Sequence, residues 1–209
     1  MRKKTEARRD AILTTALAVF RESGFEAASM SQIAARVGGS KATLYNYFSS
    51  KEDLLLAAMH YSAEELGQNI MALIGSSGDL RRQLERFAES LLKVLADEET
   101  LQLIRVAISV SGHTQNISKR FFDLGTDVVW HKMASFMTQQ IEAGRLKNED
   151  PELLAMHLRC LCDMDLMGNL MGANKPTRQT DIERKAKLVA DLFLRTHEKT
   201  PENLPLKAD

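Results

Sequence analysis

Between Ser29 and Lys51 lies a run of side chains whose types match the edges of nucleic-acid bases and the oxygens of phosphates. Lys41 can donate to guanine O6 and N7, Asn46 can pair with adenine through its amide, and Ala42 and Thr43 can meet a thymine methyl. Ser31, Ser40 and Lys51 stand where helices are expected to begin, so they offer donors to an anion held at a positive helix end. Tyr45 and Tyr47 flank Asn46 and bring hydroxyls suited to a phosphate backbone. The chemistry implied is polyanion binding with base selectivity, with no bond made or broken.

Such groups read bases only when a rigid element presents them, and the surrounding pattern supplies one. Ile12, Ala16, Val19 and Phe20 recur with a helical period, and Gly24 follows as a stop. A second helix is expected from Ser31, with Ile33, Ala34 and Val37 inward, ending at Gly38-Gly39. Ser40 can cap a third helix whose Leu44 and Phe48 face inward, leaving Ala42, Thr43 and Asn46 outward. Two short helices across a glycine turn form a helix-turn-helix, here spanning residues 29–48. Ser50 to Asp53 reads as a capping box opening a fourth helix that reaches about Ile74.

The segment from Gly24 to Leu54 resembles the N-terminal DNA-binding domain of the TetR family of regulators. The resemblance rests on Gly24-Phe25, Ser29-Met30-Ser31, Ile33-Ala34, Gly38-Gly39-Ser40, Leu44-Tyr45-Asn46-Tyr47-Phe48 and Ser50-Lys51-Glu52-Asp53-Leu54, contiguous and correctly spaced. Gly39 departs from the family pattern, which has a small apolar residue there. The resemblance implies an all-α protein. Residues 1–54 would form a three-helix DNA-binding domain, and residues 55–209 a larger helical domain for effector binding and dimerisation. It further implies a homodimer on palindromic operator DNA, most often as a repressor, released by a small molecule.

The remaining chain agrees with that organisation. Helices are expected at 80–96, 98–110 and 118–143, from Asp150-Pro151 to Met171, and from a Thr180–Glu183 capping box to Thr196. The helix at 151–171 is apolar nearly all round and must be covered on several sides. The resemblance assigns it, with the last helix, to a dimer interface carrying Leu154, Leu158, Leu161, Val189, Leu192 and Phe193. Phe87, Phe121, Phe122, Trp130, Met133, Met137, Met164 and Met167 could line an adaptable, hydrophobic effector pocket. Asp163 and Asp165 would more commonly cap or pair with Arg or Lys across the interface; either one, if turned into the pocket, would favour a cationic effector.

Other functions find less support. No nucleophile elbow, zinc-protease helix, P-loop or dinucleotide fingerprint is present, so no enzyme is expected. His157 and Cys160 share a helical face, but Cys162 does not, so no metal site or cofactor is expected. Net charge is zero, yet residues 1–51 carry nine Lys or Arg against four Asp or Glu, a balance of +5. Arg2, Lys3, Lys4, Arg8 and Arg9 could form a basic arm. A charged N-terminus and two near-adjacent cysteines favour a reduced, cytoplasmic setting without membrane attachment.

Overall fold

A computed structural model describes residues 2–72, 74, 78–111, 127–174 and 177–199. Its helices are α1 (Arg2–Ala27), α2 (Met30–Val37), α3 (Lys41–Tyr45), α4 (Lys51–Met71), α5 (Leu80–Ala96) and α6 (Glu98–Ser111). There follow α7 (Asp127–Glu142), α8 (Pro151–Cys162), α9 (Leu166–Leu170) and α10 (Gln179–His197). The architecture is all-α, and no helix among the described residues is long and apolar enough to cross a membrane.

Local chemistry sets most of the boundaries. Asp79 accepts from Arg82 N–H at 2.8 Å to open α5, and Asp150 accepts from Glu152 N–H at 3.0 Å to open α8 with Pro151 behind it. Ser50 Oγ accepts from Asp53 N–H at 3.0 Å, but the return arm of the box reaches Ser49 N–H at 3.2 Å. Two expectations need correction. The helix expected through Met171 ends at Cys162, where Asp163–Asp165 forms a single 3-10 turn before α9. Aspartates are poor inside helices because their carboxylates compete for nearby backbone donors. The Thr180–Glu183 box does not form. Helix α10 opens one turn-edge earlier, at Gln179, and Gln179 Nε2 donates to Glu183 at 2.9 Å instead. The 118–126 part of the helix expected at 118–143 lies outside the described residues.

Two apolar clusters hold the chain. The first joins α1, α2, α3 and α4 through Ile12, Phe20, Ile33, Leu44, Leu54 and Leu55, all fully buried. It also takes Leu103, Val106 and Val110 from α6, so this core is completed by a helix distant in sequence. The second joins α5, α7, α8 and α10 through Leu84, Phe87, Met133, Met137, Leu154, Leu158, Val189 and Phe193. A Cβ at Gly67 would stand 2.7 Å from Val129 Cγ2, so glycine lets α4 approach α7 closely.

Candidate nucleic-acid interface

The helix-turn-helix is built from short caps and one glycine. Ser29 Oγ accepts from Gln32 N–H at 3.1 Å, which starts α2 at Met30, one residue before the expected Ser31. Helix α2 ends at Gly38, whose φ of 70° suits glycine and lets its N–H reach the carbonyls of Ala34 and Ala35. Ser40 Oγ accepts from Thr43 N–H at 3.1 Å and shares a 2.8 Å hydrogen bond with the Thr43 hydroxyl. Leu44 and Phe48 are buried beneath. Arg36 of α2 meets both carboxylate oxygens of Glu22 on α1, at 2.5 and 2.7 Å. That hydrogen-bonded guanidinium holds the Glu22 carboxyl below its ordinary range, with burial opposing weakly.

The face opposite this core carries the expected side chains together. Lys41, Ala42, Tyr45 and Asn46 are exposed, and Thr43 and Tyr47 are half-buried beside them. Lys41 Nζ lies 5.8 Å from the Tyr45 ring centroid, so the two side chains share one patch. Ser31 is exposed in the first turn of α2. Helix α3 itself has five residues, and Asn46 follows as its C-cap rather than within it.

Lys51, expected at a phosphate, is engaged inside the fold. Its Nζ donates to the backbone carbonyls of Phe25 at 2.7 Å, Ala28 at 3.1 Å and Glu26 at 3.4 Å, and lies 4.2 Å from the Phe25 ring centroid. Those carbonyls lie in and just beyond the last turn of α1, which ends at Ala27 and leaves them without helical partners. All three ammonium donors are thus used inside the fold. Arg8 is likewise no loose arm: it donates to Gly38 O at 3.0 Å and spans α1 to the turn. It also accounts for Gly39, where a Cβ would stand 2.8 Å from Arg8 Nη2. The Arg2, Lys3 and Lys4 side chains lie outside the described set. The expected result for Gly39→Val is therefore a loss of about 1 kcal/mol in urea unfolding, from the displaced Arg8 bond. A gain in stability from the added methyls would show instead that the Arg8 bond contributes nothing.

The candidate effector and interface residues are divided by burial. Phe87, Met133 and Met137 are fully buried in the second core, and Trp130 meets Phe87 edge-on at 5.8 Å. Arg159 stands 5.7 Å over Trp130 and 3.6 Å from Asp163. Burial pushes the Asp163 carboxyl up, against the pull of Arg159. Asp165 pairs with Lys185. Both carboxylates proposed for a cationic effector thus already have cations. Met164 and Met167 are exposed, and Phe122 and Phe121 lie outside the described residues. Leu154, Leu158, Val189 and Phe193 are consumed by the protomer's own core. Apolar surface is left open on the other side of the same helices, at Leu153 and Met156 of α8 and Leu188 and Leu192 of α10, with Met164 in the turn after α8 and Leu161 half-buried.

One constellation escaped sequence reasoning. His197, buried at the end of α10, bonds His157 across 3.1 Å and Glu149 across 2.9 Å. It ties α8 to α10 and to the preceding loop. No group of three metal-ligating side chains suited to an ion occurs among the described residues.

A helix-turn-helix with an open polar face on a larger helical body defines a DNA-binding transcription regulator. The N-terminal model for bacterial regulatory proteins of the tetR family matches residues 12–58, and that for the AefR-like transcriptional repressor C-terminal domain matches residues 82–199. The chain belongs to the TetR family of transcriptional regulators. Among curated proteins it is 31% identical over 129 residues to the transcriptional activator FasR of Mycolicibacterium smegmatis, covering 57% of this chain and 59% of that one. The chain thus spans little more than half of that relative's length. A TetR-family regulator from Mesorhizobium loti superposes with a TM-score of 0.84 at 26% identity, over 92% of this chain and 98% of that one. The flavonoid-responsive regulator FrrA superposes with a TM-score of 0.78 at 26% identity, over 94% and 100%.

Proposed function

We propose that this protein is a ligand-responsive repressor that binds a palindromic operator as a homodimer and lets go when a small apolar molecule binds its C-terminal domain. The observation that carries the DNA half is the exposed set Lys41, Ala42, Tyr45 and Asn46 over the locked pair Leu44 and Phe48. Within it, Lys41, Ala42, Thr43 and Asn46 read base edges, while Ser31, Ser40, Tyr45 and Tyr47 hold phosphates. Lys51 braces the domain from behind. A repressing role accords with the match of residues 82–199 to a repressor C-terminal domain.

The dimer half follows from open apolar surface. Met156 is 50% exposed and Leu192 38% exposed, on adjacent helices, and a soluble monomer gains nothing by leaving such a strip in water. A second copy would cover it, with Leu161 at its edge. The effector half follows from the interior around Phe87, Trp130, Met133 and Met137, whose two flexible methionines can repack around an apolar guest. Because Asp163 and Asp165 are already paired, a neutral or anionic hydrophobe replaces the cation first expected. The flavonoid response named for FrrA is of that chemical kind.

Fluorescence anisotropy with DNA from upstream of the chain's own gene tests the whole reading. Binding should tighten as salt falls, because phosphates release counterions. Lys41→Ala and Asn46→Ala should each cost about 1–3 kcal/mol on the cognate site and little on unrelated DNA. A flavonoid or long-chain acid should then lower affinity about 5- to 150-fold. Equal binding of wild type and both variants to every sequence would defeat the DNA reading. Release by lipophilic cations alone would defeat the ligand reading.

A further inference from the structure

Helix α6 belongs to two bodies at once. Leu103, Val106 and Val110 put one face into the N-terminal core, and Arg21 of α1 pairs with Glu99 at its start. On the far side, Arg105 reaches into the C-terminal body. Its Nε donates to Leu170 O at 2.8 Å and its Nη2 to Asn169 O at 3.1 Å, while Nη1 meets Glu98 at 2.7 Å. Those part-buried carbonyls lie at the end of the short helix α9, where a guanidinium fork fits two acceptors at once.

The anchor beyond Arg105 is itself tied down. Asn169 Nδ2 donates to Leu95 O at 3.1 Å, which fixes α9 to the end of α5. Asn174 Nδ2 donates to Asn169 Oδ1 at 2.8 Å and to Asp165 O at 3.2 Å. Asp165 in turn pairs with Lys185 of α10. A continuous chain of directional bonds therefore runs from α10 and α5 through α9 and Arg105 into α6, and from α6 into α1. Helix α4 also meets the C-terminal body, where Gly67 faces Val129 of α7 in an apolar contact.

We propose that Arg105 is the positioning residue that sets the DNA head at one distance and angle from the C-terminal body, and so sets the half-site spacing the dimer accepts. The inference rests on the reading of this chain as a dimeric operator binder. Its physical basis is that one extra base pair moves a half-site along the axis and rotates it by about 35°, given about ten base pairs per turn. A rigid pair of heads resists that change, and a loosened pair follows it.

The test uses the full chain and a series of operators whose half-sites are one base pair closer, native, or one base pair further apart. Sedimentation and thermal unfolding run in parallel. Wild type should lose about tenfold in affinity at either altered spacing. Arg105→Ala should remain dimeric and bind an isolated half-site as wild type does, yet lose less than about threefold between spacings. Arg105→Lys keeps the charge but bonds one carbonyl at a time, so it should fall between the two. Should Arg105→Ala fail to fold, Arg105→Lys decides alone: a flattened preference supports the proposal, and a wild-type preference overturns it. A folded, dimeric Arg105→Ala with wild-type preference also overturns it, as does a uniform loss at every spacing. Failure of wild type to bind any operator would instead remove the functional reading on which the proposal stands.

Discussion

Met156→Glu combined with Leu192→Glu is expected to give a folded monomer whose operator affinity falls about 100- to 10,000-fold. The two side chains lie on the open side of α8 and α10, so charging them leaves the protomer core intact. Two short recognition helices tied in one dimer gain from high effective concentration, and that gain vanishes when the tie is cut. Sedimentation velocity and DNA titration check both halves. The contrast is Phe193→Ala, which removes a ring fully inside the protomer and should cost about 3–5 kcal/mol of folding stability. If the double variant stays dimeric at micromolar concentration, the partner surface lies elsewhere.

Lys51→Ala is expected to behave as a folding lesion, not as a lost phosphate contact. Three backbone carbonyls would lose their charged donor, at a cost of about 2–3 kcal/mol. That corresponds to a fall of about 5–10 °C in melting temperature for a chain of this size. At a temperature where the variant remains folded, its slope of log affinity against log salt should match wild type. A phosphate-binding lysine would give the opposite pair of results: unchanged melting and a slope shallower by about one unit.

These two cases also mark how far the sequence was legible. Local chemistry was readable where both partners lie within one helical turn. Ser40 and Asp150 were assigned as helix starts from spacing alone, and each accepts an N–H of the helix it opens. Helical phase against Leu44 and Phe48 set Ala42, Thr43 and Asn46 outward; Ala42 and Asn46 are exposed, and Thr43 is half-buried. The bonds Lys51 makes inside the fold were not legible, because their acceptors lie 23 to 26 residues earlier, around the end of α1. Nothing in its own neighbourhood signals them.

The C-terminal half was legible as helix but not as surface. An apolar helix such as Pro151–Cys162 does not say which side its own protomer takes and which side a partner takes. Leu154 and Leu158 went inward, leaving Leu153 and Met156 outside. The link from His157 to His197 spans 40 residues, and Arg105 to Leu170 spans 65, with no pattern in sequence to announce either. Asp163 and Asp165 were open to two readings, a cationic ligand or pairing with Arg or Lys; each stands beside a cation of its own chain, Arg159 and Lys185, and which cation it would be was not readable from sequence.

The central claim is that the helix Lys41–Tyr45, with Asn46 at its end, reads base edges as one half of a symmetric pair. Selection of bound sequences from a random DNA library by the wild-type chain and by Asn46→Ala tests it most directly. The account predicts a palindromic motif for wild type and, for the variant, the same motif with preference lost at one symmetric pair of positions. Recovery of no enriched sequence by wild type, or of an identical motif by both proteins, would contradict it.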